Sequence, residues 1–223
     1  MDSVHNGVVM AKKTTHPPAR DTYRHGDLRH ALLEAGIELA RAGGADAIVL
    51  REATRRAGVV PNAAYRHFAS RHELLLAVRA YTLSQLAITM ESEMAALEED
   101  PGSAEYARAC LRAVGIGYLR FAHAEPGLFR TAFSVPLNDE TEADPARAGH
   151  SGLNPFQLLG AALDRLVDTG VLPPQRRLGA EYLAWSAVHG LAVLFTDGPL
   201  RSLTDAQRAV VGRRVVDMVE KGL

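Results

Sequence analysis

Apolar residues recur at spacings of three and four along almost the whole chain, and this helical period restricts the fold more than any other feature of the sequence. Alanine, the residue with the highest helix propensity, occurs 36 times among the 223 residues. The alternation of apolar and polar residues typical of strands is missing, and the β-branched pairs Ile48-Val49 and Val59-Val60 are isolated. The sequence therefore predicts an all-α fold.

Cysteine and histidine spacing argue against a metal site or a cofactor. The one cysteine, Cys110, excludes a disulfide scaffold and a zinc site built from several cysteines. The pairs His25/His30 and His67/His72 are five residues apart, whereas two ligands on one helix face need a spacing of four. Paired carboxylates, a Ser/His/Asp set and a phosphate-binding loop are also missing at usable spacing. We therefore expect no metal, no cofactor and no enzyme.

Hydropathy predicts a cytoplasmic protein without a membrane segment. The first twenty residues are polar and lack the apolar core of a signal peptide. The longest apolar run without charge, residues 182–195, is shorter than the ~20 residues that span a bilayer.

Charge is divided unequally along the chain. Residues 1–80 hold 12 Lys and Arg against 8 Asp and Glu, whereas residues 81–223 hold 13 against 18. The net charge is therefore +4 in the first part and −5 in the second, which sums to the −1 of the whole chain. A basic N-terminal part on an acidic body indicates that an anionic partner meets the N-terminal part.

Glycine and proline residues interrupt the helical pattern and indicate where the domains begin and end. We predict a disordered tail over residues 1–22, a three-helix unit over residues 23–79 and a larger helical domain over residues 80–223. Residues 136–154, rich in Pro, Gly, Asn and acids, are predicted to form a mobile loop.

Two short helices around a glycine carry the sharpest signal. A helix over residues 50–57 is followed by Gly58, which is suited to a left-handed turn, and by Pro61, which is suited to the first turn of the next helix. In that second helix, over residues 61–68, Ala64 and Phe68 share the inner face. Such a helix-turn-helix unit presents its second helix to the major groove of DNA.

The stretch from Tyr23 to Arg79 resembles the N-terminal DNA-binding domain of TetR-family transcriptional regulators. The most specific parts of the resemblance are LREATRRAGV and PNAAYRHFASRHELL. The resemblance implies a homodimer that binds a palindromic operator in double-stranded DNA. It also implies a C-terminal domain that binds a small-molecule effector and then moves the two DNA-binding domains (the heads) of the dimer apart. A ligand-relieved repressor is the function it favours most.

Residue roles follow from that resemblance. Pro61, Asn62 and Ala63 would face base edges, and Arg66 would read guanine or hold a phosphate. Tyr65 and His67 match positions that touch the DNA backbone, and Arg71 matches one that holds a phosphate. Val49 and Val60 stand where the family often has Ser or Thr, so two helix caps and phosphate donors are lost. The predicted DNA-binding residues are thus Pro61, Asn62, Ala63, Tyr65, Arg66, His67 and Arg71.

The C-terminal part is expected to hold a hydrophobic effector and a dimer interface. Residues 182–195 are apolar on every face of a helix, so a partner must cover them. The segment Trp185–Gly190 is similar to a subgroup of TetR effector domains in which Trp and His-Gly lie on a penultimate helix used in dimerisation. The predicted ligand-binding residues are Tyr118, Phe121, Phe129, Phe133, Trp185 and His189, and the predicted interface residues are Tyr182, Leu191, Phe195, Val211, Val215 and Met218.

Two alternatives remain open at this level. The chain could be an activator or co-repressed regulator that needs its ligand to bind DNA. It could also be a small-molecule-binding protein with a vestigial DNA head. The outward face of the second short helix argues against a vestigial head. A head that no longer binds DNA would have no reason to keep Asn62, Tyr65 and Arg66 together.

Overall fold

Helices form the architecture throughout the part of the chain that the computed structural model describes, residues 25–134 and 144–223. No strand occurs in these two ranges, as the helical period predicts. The predicted tail and the acidic residues of 135–143 lie outside them. The helices are α1 His25–Gly43, α2 Leu50–Arg56, α3 Pro61–Ala64, α4 Arg71–Ala95, α5 Ala104–Ala124, α6 Pro126–Ala132, α7 Pro155–Asp168, α8 Ala180–Thr196 and α9 Asp205–Gly222.

The first three helices pack into an N-terminal head around fully buried side chains, among them Leu32 and Phe68. The turn between α2 and α3 is a Schellman motif. Gly58 has a φ of 68°, its N–H donates to the carbonyl of Arg55, and the N–H of Val59 donates to that of Thr54 at 3.0 Å. This pair of bonds satisfies carbonyls at the end of α2 and reverses the chain, as the glycine predicts.

Helix α4 connects the head to the rest of the molecule. Its N-cap is Ser70, whose hydroxyl accepts from the N–H of Glu73 at 3.2 Å. The carboxylate of Glu73 accepts from the N–H of Ala69 at 2.6 Å rather than from that of Ser70, so only one of the two bonds of a capping box is formed. With 25 residues, α4 is about 37 Å long. It packs on α1 through Val78 near its start and on α5 through Met90 near its end.

Helix α6 touches the head and the larger C-terminal part at once. Gly127 lies so close to α1 that a Cβ there would be 2.4 Å from the carbonyl oxygens of Ala40 and Arg41. The Nε of Arg41 donates to the carboxylate of Glu125 at 3.1 Å, just before α6 begins. At its other end, the carbonyl of Ala132 accepts from the Nε of Arg79 on α4 at 2.7 Å. Helix α6 is therefore bonded to both α1 and α4.

Two boundaries differ from the sequence prediction. Helix α3 ends at Ala64 rather than Phe68, although the N–H of Phe68 still donates to the carbonyl of Ala64 at 2.9 Å. Part of the predicted loop over residues 136–154 packs on α4, where Glu91 accepts from the N–H groups of two loop residues.

Among the described helices, none is long and apolar enough to cross a bilayer.

Candidate DNA-binding surface and effector cavity

The outer face of α3 and the turn after it is polar and open to solvent. Asn62 and Arg66 are exposed, and the side chain of Tyr65 is 57% exposed. On the opposite face Ala64 and Phe68 are fully buried in the head. The predicted inward positions Ala64 and Phe68 are confirmed, whereas Ala63 and His67, predicted to face the DNA, are half-buried and Ala63 packs against the core. Buried packing thus fixes the orientation of the exposed side chains of this face.

Arginines of the head differ in what they already bind. Arg55 and Arg56 both pair with Glu52, at 2.7 and 3.2 Å, and these two guanidiniums lower the pKa of Glu52 to about 2. Arg66 has no ion pair or hydrogen bond with any residue of the described ranges. Its guanidinium is therefore free to pair with a base edge or a phosphate, whereas those of Arg55 and Arg56 are already engaged.

Arg71 contacts the backbone of the head. Its Nε donates to the carbonyl of Ile48 and its Nη2 to that of Ala45, each at 2.7 Å. These bonds fasten the start of α4 to the segment between α1 and α2. The geometry makes Arg71 a residue that positions the head, and contact with a phosphate stays a prediction from the family resemblance.

Helices α2 and α3 start without a side-chain cap. Their N-cap residues are Val49 and Val60, which offer no hydrogen-bond acceptor to the first N–H groups. Val60 is 69% exposed beside the outer face of α3. The absence of hydroxyls at these two positions is a local departure from the family pattern, and backbone N–H groups remain open there.

An apolar cavity of about 90 Å³ lies in the C-terminal part. Tyr118 and Phe133 line it, as predicted, and so does Trp185 on α8. The cavity belongs to no single segment, because α4, α5, α7, α8 and α9 all contribute to its wall. The other lining residues are Leu83, Met90, Leu111, Val114, Gly115, Arg147, Asn154, Pro155, Phe156, Leu159, Ala184, Val188, Val216 and Val219.

Three predicted ligand-binding residues do not line this cavity: Phe121, Phe129 and His189. Phe121 and Phe129 are 4% and 2% exposed and belong to the packed core. His189 lies behind Tyr118, whose hydroxyl is 2.7 Å from its Nδ1. Aromatic and histidine side chains in apolar stretches predict the core of the C-terminal part, but they do not indicate which residues border empty space.

Tyr118 and His189 form a neutral polar pair inside an aromatic cluster. The Nε1 of Trp185 donates to the hydroxyl oxygen of Tyr118 at 3.2 Å, which leaves the hydroxyl hydrogen for Nδ1 of His189. Burial raises the pKa of Tyr118 and lowers the pKa of His189, and the two shifts favour the uncharged forms. The ring of Phe129 packs edge-on against Tyr118 at 5.6 Å. This pair orients Tyr118 and Trp185 on the cavity wall.

Sequence reasoning missed the polar end of the cavity. Arg147 and Asn154 line it and are 4% and 8% exposed, yet both fall in the segment predicted as a mobile loop. One signal was available. Asn154 followed by Pro155 and Gln157 marks a helix start, and the structure shows the full capping box there. No comparable pattern marked Arg147.

Helices α8 and α9 expose a run of large apolar side chains. Tyr182 and Leu183 are 63% and 66% exposed on α8, and Met218 is 59% exposed on α9. Val193, Leu194 and Val210 extend this α8/α9 face. Exposed large apolar side chains on two helices that pack together are typical of an interaction site.

The predicted interface residues divide between this face and the core. Tyr182 and Met218 lie on the α8/α9 face, whereas Leu191 and Phe195 are buried within the chain and cannot meet a partner directly. Val211 and Val215 are half-buried against the core. The correction has a simple cause, since a helix apolar on every face buries one side in its own domain and leaves the other for a partner.

Two family models match the chain. The model of the bacterial regulatory proteins of the tetR family matches residues 32–78, and the model of the tetracyclin repressor-like C-terminal domain matches residues 111–219. The first range contains the helix-turn-helix unit, and the second contains most of the cavity wall. The chain belongs to the TetR family of transcriptional regulators.

Solved structures share the fold of this TetR-family chain over nearly its full length. A protein of unknown function from Rhodococcus sp. RHA1 is 25% identical, with 92% of this chain and 99% of that chain covered and a TM-score of 0.69. The TetR family regulator PfmR from Thermus thermophilus is 22% identical, with coverage of 86% and 98% and a TM-score of 0.55. FadR from Bacillus subtilis in complex with stearoyl-CoA is 11% identical, with coverage of 87% and 98% and a TM-score of 0.61. No curated protein matches the chain.

The match assigns a general role to each half of this TetR-family regulator. DNA binding, repression and ligand control are typical of the family, with the helix-turn-helix head on the DNA and a ligand-binding C-terminal domain. The exposed face of α3 lies in the first matched part, and the cavity lies mostly in the second.

Proposed function

We propose that this protein is a homodimeric repressor that binds a palindromic operator through α3 and releases it when a small molecule fills the cavity. The observation that carries the proposal is the exposed, unpaired face of Asn62, Tyr65 and Arg66, held in place by the buried Ala64 and Phe68. A face built this way is suited to DNA and has no partner within the described chain.

Each residue of this face has a suitable contact. The amide of Asn62 can pair with both N6 and N7 of adenine, and the guanidinium of Arg66 can pair with O6 and N7 of guanine. Tyr65 and His67 reach the sugar-phosphate backbone beside the groove. Pro61 and Ala63 offer carbon atoms to thymine methyl groups. These contacts position the helix and read a short half-site.

The α8/α9 face would join two copies. A dimer places two α3 helices on one side of the DNA, which matches the symmetry of a palindrome. The resemblance of the Trp185–Gly190 segment to a subgroup that dimerises through this helix supports the same face. Trp185 and His189 themselves point toward Tyr118, so the contact would come from their exposed neighbours Tyr182 and Leu183.

Ligand control requires a shift between two arrangements of the heads. A ligand that binds one arrangement better than the other shifts the population toward it, and equal affinity for both shifts nothing. Helix α4 lines the cavity through Leu83 and Met90 and begins at the head. Helix α6 is bonded to α4 at Arg79 and packs on α1 at Gly127. These contacts connect the cavity with the head.

The experiment begins with selection of bound duplexes from a random pool, followed by fluorescence anisotropy titration of the selected duplex across a salt series. We expect an enriched palindrome whose affinity falls steeply with salt, because Lys and Arg displace counterions from phosphates. A lack of any enriched sequence, together with equal affinity for all duplexes, contradicts the proposal and favours a vestigial head. Enrichment only with an added small molecule favours the co-repressed alternative.

Sedimentation equilibrium tests the dimer separately. Leu183→Asp and Met218→Asp each place a charge on the α8/α9 face, and we expect a large loss of dimer because an unpaired charge resists burial. Val49→Asp is the matched control, since it changes an equally apolar, exposed residue on the head. Wild-type protein that is monomeric at micromolar concentration contradicts the proposal.

A further inference from the structure

The described wall of the cavity is apolar apart from four side chains that carry hydrogen-bonding groups. These are Tyr118, Arg147, Asn154 and Trp185. A polar group that enters an apolar site without finding a partner loses its hydration and gains nothing in return. The class of molecule that the cavity can hold therefore depends on whether these four side chains already have partners within the protein.

Tyr118 and Trp185 use their polar groups on each other and on His189. The Nε1 of Trp185 donates to the hydroxyl oxygen of Tyr118 at 3.2 Å, and the same hydroxyl lies 2.7 Å from Nδ1 of His189. An indole has one N–H to donate, and a hydroxyl that accepts one bond and donates another has no hydrogen left. Neither side chain therefore has a donor to offer to a ligand.

Arg147 and Asn154, at the polar end of the cavity, also have partners. The Oδ1 of Asn154 accepts from the N–H of Gln157 at 2.9 Å in the cap of α7. The Nε of Arg147 lies 3.8 Å from the carboxylate of Asp144, whose negative charge offsets that of the guanidinium. This end of the cavity therefore presents no unmet charge for a ligand to neutralise.

The size of the cavity restricts the ligand as well. Its volume is about 90 Å³, and an engineered apolar cavity of ~150 Å³ in another protein binds one benzene molecule. Three of the lining side chains are aromatic rings that meet at an angle: Trp185 lies 6.0 Å from Phe133 and 6.1 Å from Phe156. Tilted and edge-on rings pack well against a further ring. The cavity is therefore suited to about one ring.

We propose that the effector is an uncharged apolar molecule of about one aromatic ring, held by packing alone, without an ion pair or a hydrogen bond to the wall. The proposal rests on the proposed function, since it names the chemical class of the effector for the same cavity. Because the polar side chains of the wall already have partners, a charged or hydroxylated molecule loses water on entry without compensation. An apolar molecule loses only the unfavourable exposure of its surface to water.

The chain contains its own probe, because Trp185 is its one tryptophan and lines the cavity. Fluorescence of the full-length protein is titrated with ethylbenzene, benzyl alcohol and benzylammonium, which share a shape and end in a methyl, a hydroxyl and an ammonium group. Benzoate supplies the negative charge. We expect ethylbenzene to bind at least about tenfold tighter than benzyl alcohol, and we expect no saturation with the two ions, because their polar groups find no partner.

A first variant tests whether the paired hydroxyl of Tyr118 is the cause of this preference. Tyr118→Phe leaves Nε1 of Trp185 and Nδ1 of His189 without their shared partner. A hydroxyl on the ligand can then take its place, so the preference for ethylbenzene over benzyl alcohol should fall about tenfold. Tyr65→Phe removes an exposed hydroxyl from the head and is the matched control, which should leave the preference unchanged.

A second variant tests whether ethylbenzene binds in the cavity. Ala184 lines the cavity and is buried, so the larger side chain of Ala184→Leu occupies part of the space. We expect affinity for ethylbenzene to fall at least about tenfold in a variant whose circular dichroism matches the wild type. Ala161→Leu makes the same change at a half-buried position of α7 that does not line the cavity, and it should leave the affinity unchanged.

Four results would overturn this inference. They are equal or tighter binding of benzyl alcohol or of either ion, no saturation with ethylbenzene up to its solubility, an unchanged preference in Tyr118→Phe, and an unchanged affinity for ethylbenzene in a folded Ala184→Leu.

Operator anisotropy in the same samples separates the inference from the proposed function. If a charged probe releases the operator and ethylbenzene does not bind, ligand control stands and the ligand class is wrong. If ethylbenzene binds with the expected preference and operator affinity does not change, the preference of the cavity stands and ligand control fails.

Discussion

The two functional regions of this protein are built in opposite ways. The proposed reading surface of the head comes from consecutive residues, 61–66, and most of it is exposed. The wall of the cavity comes from five helices and the segments that connect them, between residues 83 and 219, and is mostly buried. A contiguous, exposed site leaves its polar residues in a short pattern, whereas a buried site assembled from distant segments leaves only apolar positions that look like any core.

Packing has a different purpose in each region. In the head, the fully buried Phe68 and Ala64 orient the neighbouring exposed residues of the proposed DNA-binding face. In the C-terminal part, the packed residues themselves form the site, and most of them are apolar. The first region should therefore lose function when its core is damaged, and the second when its cavity is filled.

The largest expected effect tests whether the head is an independent region. Phe68→Ala removes a fully buried ring and should lower the free energy of unfolding by about 3–5 kcal/mol, measured by urea denaturation. Operator binding should be lost while Trp185 still responds to ligand. Tyr65→Ala is the matched control, because its exposed ring should cost DNA affinity and little stability. Loss of both functions together in Phe68→Ala would contradict the separation.

A smaller effect tests the connection between the regions. Gly127→Ala puts a Cβ against two backbone carbonyls of α1, which cannot move aside without shifting the helix. We expect a loss of about 1–3 kcal/mol in unfolding free energy and a weaker ligand effect on operator affinity. In Gly160→Ala, the control on α7, the nearest atoms are 3.8 Å away, so unfolding should become slightly harder. Unchanged stability in Gly127→Ala would mean that α6 docks less closely.

Much of the head could be predicted from the sequence because its signals are local. Gly58 marks the Schellman turn, Pro61 begins α3, and Ser70 caps α4, each as the structure shows. The end of α3 was placed four residues too far, since the chain continues in hydrogen-bonded turns that keep a helical pattern.

The cavity could be predicted only in part, for a physical reason. Aromatic side chains in the apolar stretches of the C-terminal part predict cavity-lining residues, and Tyr118, Phe133 and Trp185 do line the cavity. The same pattern cannot separate a residue that borders a void from one packed on every side, as Phe129 is. Arg147 was out of reach, because its burial depends on a segment that lacks any period.

Substitutions of two arginines of the head distinguish a residue that reads DNA bases from one that positions the head. Arg66→Ala should relax base preference at one operator position by about 1–3 kcal/mol and leave stability unchanged, since the side chain is exposed and unpaired. Arg71→Ala should lower the unfolding free energy by about 1–3 kcal/mol and weaken all duplexes alike, because two bonds to backbone carbonyls are lost. Anisotropy with specific and random duplexes, together with urea denaturation, measures both. A stable Arg71→Ala variant would contradict its positioning role.

The smallest effect is a pH dependence that belongs to the C-terminal part. Burial lowers the pKa of His189 in the folded state, so the unfolded state binds the proton more readily. Stability should therefore fall as pH drops below the unfolded value near 6.5, until it reaches the folded pKa. His189→Gln should flatten this part of the profile of unfolding free energy against pH, with His72→Gln in the head as control. A profile that stays the same in His189→Gln would show that the ring is not held neutral.

The most direct test of the account is a double-mutant cycle that combines a substitution in the protein with base-pair replacements in the operator. Affinities of the wild type and of Arg66→Ala are measured by anisotropy for the selected palindrome and for palindromes with each base pair replaced in turn. The account predicts one position at which Arg66→Ala no longer distinguishes the bases, while discrimination at the others is kept. An equal loss of affinity for the palindrome and for random duplex would contradict it and reduce Arg66 to a phosphate contact.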